Sequence, residues 1–168
     1  MSEQLSKTAL ILWKTLYYLL QFALRISAKK ILKKRLRMQK EHPERWREKL
    51  GETNQIRPQG ELIWLHAVGL GEVMALRGLI SIISHNKPNI NFLVTSGTVQ
   101  SAELFSQNLP TNTTHQFIPL DVYKFRRNFL SRWKPNLVIW SEQEIWPGFV
   151  KDCARLKIPQ VWINARMA

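Results

Sequence analysis

Three glutamates stand where a carboxylate has reason to be exposed. In "IWLHAVGLGEVMALRGLI", residues 63–80, an apolar run ends at His66, passes Gly69 and Gly71, and delivers Glu72 to the start of a helical pattern. In "SEQEIWPG", Glu142 and Glu144 directly follow an apolar run and precede Trp146. A carboxylate on the rim of a fold can take a proton from a hydroxyl in a reaction or hold polar ligand atoms. It can equally be only a helix-start residue, because first-turn amides and the helix dipole favour negative charge there. Gly69 and Gly71 are expected to permit tight backbone geometry and to leave amide donors exposed beside Glu72.

Several other chemistries find no support in the spacing. "GLGEVM" lacks the third glycine of a dinucleotide fingerprint, and the second apolar run ends in "TSGT" without an acidic ribose ligand. No Walker-type phosphate loop is present. His66, His85, His115 and Cys153 do not form close ligand pairs, so no metal site and no cofactor is expected. One cysteine allows no intramolecular disulfide.

The elements that must carry these residues alternate along residues 61–168. Short apolar runs rich in β-branched and aromatic residues fall at 62–68, 90–96, 115–120, 136–141 and 160–164 and read as strands. Between them apolar positions recur at helical spacing: Val73, Leu76, Ile80 and Ile83 in one stretch, Val122, Phe125, Phe129 and Trp133 in another. The turns "NKPN", "KPN" and "KIP" end helices and open strands. This predicts an α/β fold, a Rossmann-like parallel sheet with helices on both faces. The strand C-terminal ends then share one rim, where ligands bind. The rim collects residues 66–72, 95–98, 119–121, 141–146 and 164–166. Arg126, Arg127, Arg132 and Lys134, on the helix before the fourth strand, can meet phosphate or form a solvated face.

The chain has 168 residues, 45% of them hydrophobic, and a formal net charge of +13. Such hydrophobicity argues against general disorder. The charge is uneven: residues 1–58 hold 14 Lys/Arg against 5 Asp/Glu, and residues 59–168 hold 11 against 7. A nucleic-acid domain carries its basic charge on the folded body, so no nucleic-acid partner is expected. The charge instead follows "ALILWKTLYYLLQFALRI", residues 9–26, an N-terminal hydrophobic helix interrupted by Lys14, Thr15 and Gln21. At 18 residues it is near the lower limit of a bilayer span. Arg25, Lys29, Lys30, Lys33, Lys34, Arg35, Arg37 and Lys40 come next and suit anionic headgroups on the cytoplasmic side. A span, an interfacial helix and a helix packed on the domain's own surface all remain open. The expected division is a membrane-anchor helix with its basic segment at 1–40, a connector at 41–60 containing a short charged helix around 44–50, and the Rossmann-like domain at 61–168.

Taken together, "WLHAVGLGEV", "FIPLD", "SEQEIWP" and "INAR", in this order and spacing, resemble the N-terminal domain of the 3-deoxy-D-manno-octulosonic acid (Kdo) transferases of lipopolysaccharide synthesis. The resemblance covers about residues 45–168. It implies the N-terminal, acceptor-binding half of a GT-B glycosyltransferase that transfers Kdo from CMP-Kdo to lipid A precursor at the cytoplasmic face of the inner membrane. It also implies that Glu72 is the general base, that Glu142 and Glu144 are the two glutamates of the family's E-x-E-x-W-P motif, and that Asn164 and Arg166 belong to its asparagine-alanine-arginine segment. Glu142 or Glu144 would then stabilise developing positive charge or hold acceptor hydroxyls. Two departures stand out: the family usually has serine at the position of Gly69, and again where the sequence stops at Ala168. The motifs belong to one of two family domains, and the donor-binding C-terminal domain, which carries most of the CMP-Kdo site, would have to come from a separate chain. Another lipid-directed GT-B transferase half and a non-catalytic lipid-binding domain are the alternatives.

Overall fold

A computed structural model describes residues 2–141 and 146–164, with side chains in the first helix described at Leu12 and from Thr15 onward. Five strands, β1 (Leu62–His66), β2 (Asn91–Ser96), β3 (Thr113–Phe117), β4 (Leu137–Ser141) and β5 (Gln160–Ile163), form one sheet in the order β3-β2-β1-β4-β5. Every pairing is parallel, with Leu65 opposite Val94 on one side and Ile139 on the other. The helices are α1 (Ser2–Arg37), α2 (Leu70–Asn86), α3 (Val99–Gln107), α4 (Tyr123–Trp133) and α5 (Pro147–Arg155). The predicted Rossmann-like α/β class is thus the observed one.

Alternation along the strands divides the core. Leu62 and Trp64 face α4 and α5, meeting Phe129, Trp133, Phe149 and Cys153. Ile63, Leu65 and Ala67 face α2 and α3, meeting Val73, Leu76, Ile80 and Phe105. The helical stripes read from the sequence are buried as expected, with Val122 as the residue preceding α4 and Ile83 partly covered. Aromatic rings continue the first layer to the sheet edge: Trp64 meets Trp140 edge-on, and Trp140 stacks on Trp162 of β5. Val161 and Trp162, on the edge strand, are exposed.

α1 is one continuous helix of 36 residues, about 54 Å long at 1.5 Å per residue. Its side chains do not make one uniform apolar surface. Leu24, Ala28 and Leu32 pack with Leu50, Val122 and Phe125 in a third core cluster. Gln21 extends that stripe, its Nε2 donating to the Asp121 carbonyl at 2.6 Å and its Oε1 accepting from the Tyr123 amide at 3.0 Å. The opposite side carries exposed Leu12, Leu16, Leu19, Phe22 and Ile26, followed by exposed Lys29, Lys30, Lys33, Lys34 and Arg37. Among the described residues no helix is long and apolar enough to cross a membrane.

The stretch read as a connector is built into the same body. Its charged helix is a 3-10 turn, Trp46–Leu50, with Glu48, Lys49 and Leu50 buried. Glu48 accepts from the Phe117 amide at 2.8 Å and pairs with Arg45, which donates to the His115 carbonyl. Lys49 pairs with buried Glu41 at 2.6 Å and donates to the Gly97 carbonyl at 3.1 Å. Gly51 closes the turn with φ +72°, where its missing side chain leaves room for the Phe125 carbonyl.

Candidate functional site

Strand order reverses between β1 and β4, and in an open parallel sheet the crevice at that reversal is where ligands settle. The chain leaving β1 passes Val68 and Gly69 and enters α2, placing Glu72 in the first helical turn. One carboxylate oxygen, Oε2, accepts from the amides of Val68 and Gly69, each at 3.2 Å. Both bonds satisfy donors that a helix start leaves unpaired. The half-buried carboxylate lines a cleft of about 490 Å³ together with Gly71, Ala75, Ser141, Ile163 and Asn164. The site therefore draws on the β1–α2 turn, the end of β4 and the end of β5.

The two glycines act differently from the sequence expectation. Gly69 has φ −71°, and the positive-φ glycines are Gly51 and Gly60, so neither Gly69 nor Gly71 is required for a left-handed turn. What Gly69 provides is space: a β-carbon there would lie 2.7 Å from Glu72 Oε1. Its absence lets the carboxylate fold back over its own helix start. A β-carbon on Gly71 would meet nothing within 4 Å, and this residue lines the cleft.

Asn164, directly after β5, has φ +54°, a left-handed conformation that asparagine tolerates better than most residues. Its backbone turns the chain at the cleft edge. Glu142, Glu144 and Arg166 lie outside the described residues, so of the sequence-predicted site the structure brings together Glu72, Gly69, Gly71 and Asn164. Among the described residues no group of His, Cys, Asp and Glu could hold a metal ion.

On the other face of the sheet, beside this rim, His66 is buried between Trp140 and Trp146, ring centroids 5.9 and 5.8 Å away. Burial holds its pKa down to about 4, so the ring is neutral at physiological pH. Nδ1 lies 2.9 Å from the Thr95 hydroxyl and 3.1 Å from the Thr95 carbonyl. Nε2 and the Trp146 indole N–H are both buried and have no hydrogen-bond partner among the described residues.

The basic residues of α4 and its C-terminus divide between structural and exposed positions. Arg126 is buried, its Nη1 donating to Asp121 Oδ1 at 2.9 Å and its Nε to Asp152 Oδ2 at 2.7 Å. It is thus occupied by carboxylates rather than presented to phosphate. Arg132 donates to the Gln55 carbonyl, while Arg127 and Lys134 are exposed. Asp121 was visible in the sequence as the end of "FIPLD", but its pairing was not. Ser141 lines the cleft, in keeping with its place in the rim segment 141–146, whereas the contacts of Gln21 were signalled only by its interrupting an apolar run at helical spacing from Leu24 and Ala28.

Comparison with known proteins places this geometry in a family. The family pattern described as 3-deoxy-D-manno-octulosonic-acid transferase (kdotransferase) matches residues 44–168. A probable mitochondrial 3-deoxy-D-manno-octulosonic acid transferase of Arabidopsis thaliana is 41% identical over 128 residues, covering 76% of this chain and 29% of that protein. The 3-deoxy-D-manno-octulosonic acid transferase of Rickettsia bellii is 39% identical over 153 residues, covering 91% and 36%, and that of Rickettsia felis is 46% identical over 107 residues, covering 64% and 23%. The chain thus spans about a quarter to a third of the length of these relatives. A parallel sheet with its first-turn glutamate on the switch-point cleft, matched over residues 44–168, makes this chain a member of the Kdo transferase family, corresponding to its N-terminal domain.

Proposed function

We propose that this chain forms the acceptor-binding wall of a glycosyltransferase that moves Kdo from CMP-Kdo to lipid A precursor, acting opposite a donor-binding domain. The observation that carries the reading is the position of Glu72, a carboxylate held by two amides at the switch-point cleft with Ser141 and Asn164 facing it. A sugar hydroxyl is a poor nucleophile at neutral pH. Glu72 removes its proton as it attacks the anomeric carbon, a contribution of roughly 10² to 10⁴-fold. Glu142 and Glu144 follow β4 in sequence, whose last residue Ser141 lines the cleft, and take the role of stabilising positive charge or holding acceptor hydroxyls. Gly71, Asn164 and Arg166 complete the acceptor side.

The reaction takes place at a membrane, on the cytoplasmic face of the inner membrane. Support comes from α1, whose outward side is apolar along residues 12–26 and basic along 29–37. Such a helix lies in the interface with its apolar side among acyl chains and its lysines among headgroups. The reading is tested by mixing the purified chain with a separately expressed donor domain from a full-length relative, and adding CMP-Kdo and lipid A precursor. Transfer by the mixture and by neither half alone is the expected result. Absence of transfer from a mixture in which both halves bind their ligands would refute it and leave a non-catalytic lipid-binding domain, which the same exposed helix face would suit.

A further inference from the structure

Asp121 joins three elements that are distant in sequence. Its backbone carbonyl accepts from Gln21 of α1 at 2.6 Å. Its carboxylate is divided: Oδ1 accepts from Arg126 Nη1 at 2.9 Å, and Oδ2 accepts from the Gly148 amide at 3.0 Å, in the first turn of α5. Arg126 is in turn fixed by buried Asp152, one turn further along α5. The Tyr17 hydroxyl of α1 lies beside Arg126, Asp121 and Asp152, and burial raises its pKa.

There is no slack in this arrangement. A β-carbon on Gly148 would collide with Asp121 Oδ1 and with the Arg126 guanidinium, so the start of α5 can approach only as glycine. An asparagine at 121 could accept from Arg126 or from Gly148, but it would turn an amide N–H towards the other donor. Trp146 precedes α5 directly, and through it the chain arrives from the stretch that bears Glu142 and Glu144.

We infer that Asp121 is a positioning residue that couples the seating of α1 to the seating of the α5 N-terminus, so that whatever holds α1 also holds the point at which the chain leaves the Glu142/Glu144 stretch. The inference rests on the functional reading above for the importance of that stretch. In that reading α1 is held by a lipid surface.

The test is hydrogen exchange on the whole chain, comparing residues 17–24 with residues 146–153. Gly148→Ala puts a β-carbon against Asp121 Oδ1 and the Arg126 guanidinium, while its nearest clashes include no residue of α1. It is expected to speed exchange about tenfold or more at 17–24 as well as at 146–153, while β1 and β2 keep their protection. Gln21→Ala is the reverse perturbation, removing two bonds to the Asp121 and Tyr123 backbone, and should speed exchange at 146–153. Asp121→Asn should loosen both segments together. If Gly148→Ala fails to fold, Gln21→Ala and Asp121→Asn decide the matter. Exchange that changes only in the segment carrying the substitution overturns the inference, as does an equal loss of protection throughout the sheet. The readout needs no transferase activity, so failure of transfer would count against the functional reading alone, and failure of coupling against this inference alone.

Discussion

Replacing Glu72 by Gln separates chemistry from helix initiation. The carboxylate makes two amide contacts at 3.2 Å through one oxygen, and the amide oxygen of glutamine can make the same two. What glutamine removes is the charge at the helix start, about 0.3–1 kcal/mol in such a partly exposed first turn. For a chain of this size that is a fall in Tm of only about 1–4 °C, at about 2–4 °C per kcal/mol. Loss of a general base should cost roughly 10²-fold or more in kcat, equivalent to about 2.7 kcal/mol of transition-state stabilisation. The helix-start contribution is too small to produce that loss through unfolding. Thermal melts of the variant chain, together with kcat and KM for transfer to lipid A precursor in the complemented enzyme, measure both quantities. The expected result is a nearly unchanged melt, a nearly unchanged acceptor KM and a kcat reduced about a hundredfold or more. A variant that keeps more than about a tenth of wild-type kcat would show that Glu72 only starts the helix, and Glu142 and Glu144 would be tested next.

Three further outcomes are expected. Arg126→Met leaves Asp152 buried with Arg155, at 3.6 Å, as its remaining cation among the described residues, and should lower unfolding stability by about 3–5 kcal/mol in urea titrations, against the expectation that Asp152→Leu in the same chain recovers part of the loss. His66 and His115 have folded-state pKa values pushed down to about 4 and about 3, in both cases first by burial and for His115 also by Arg45, so the folded state binds fewer protons than the unfolded state below pH 6.5. Their contribution is complete above that pH and is lost as the pH falls, by about 2 kcal/mol for each at pH 5; urea midpoints between pH 7.5 and 5 should show it, and His66→Gln should make the decline shallower. Changing Lys29, Lys30 and Lys33 to Gln should weaken binding to vesicles containing anionic lipid by about 10²-fold, at about 1 kcal/mol for each charge, and Leu16→Glu with Phe22→Glu should abolish it without altering the melt of the domain.

The sheet could be read from the sequence because each strand is a compact apolar run and each helix shows its stripe. The exceptions have local causes. β3 begins at Thr113, two residues before its apolar run, because Thr113 and Thr114 enter the ladder through their backbones opposite Phe92 and Leu93. Residues 44–50 carry too many charges to resemble core, yet Glu48 and Lys49 are buried because each joins a local ion pair, with Arg45 and Glu41, to a distant backbone group, the Phe117 amide and the Gly97 carbonyl. Arg126 looked free to meet phosphate for the same reason: Asp152, which holds its Nε, is 26 residues away and has no pattern that announces the pair. At the site, Glu72 was legible because its position follows from chain order, strand then turn then helix. The role of Gly69 was not, since what matters there is the place of one carboxylate oxygen rather than a backbone angle.

The aromatic layer that ends at the sheet edge also gives the domain an optical property. Trp64 and Trp140 lie 5.1 Å apart at 65°, and Trp140 lies 6.4 Å from Trp162 at 27°, with the neutral imidazole of His66 against Trp140 and Trp146. Indole transitions at such separations mix, so the near-ultraviolet circular dichroism of this chain should carry an exciton couplet whose sign and splitting follow the relative tilt of the rings. Trp162 is the exposed member of the series, on the open edge of β5. A chain, strand or lipid that covers that edge would rotate or desolvate one chromophore of a coupled set, and its arrival could be followed in the spectrum of the unlabelled protein.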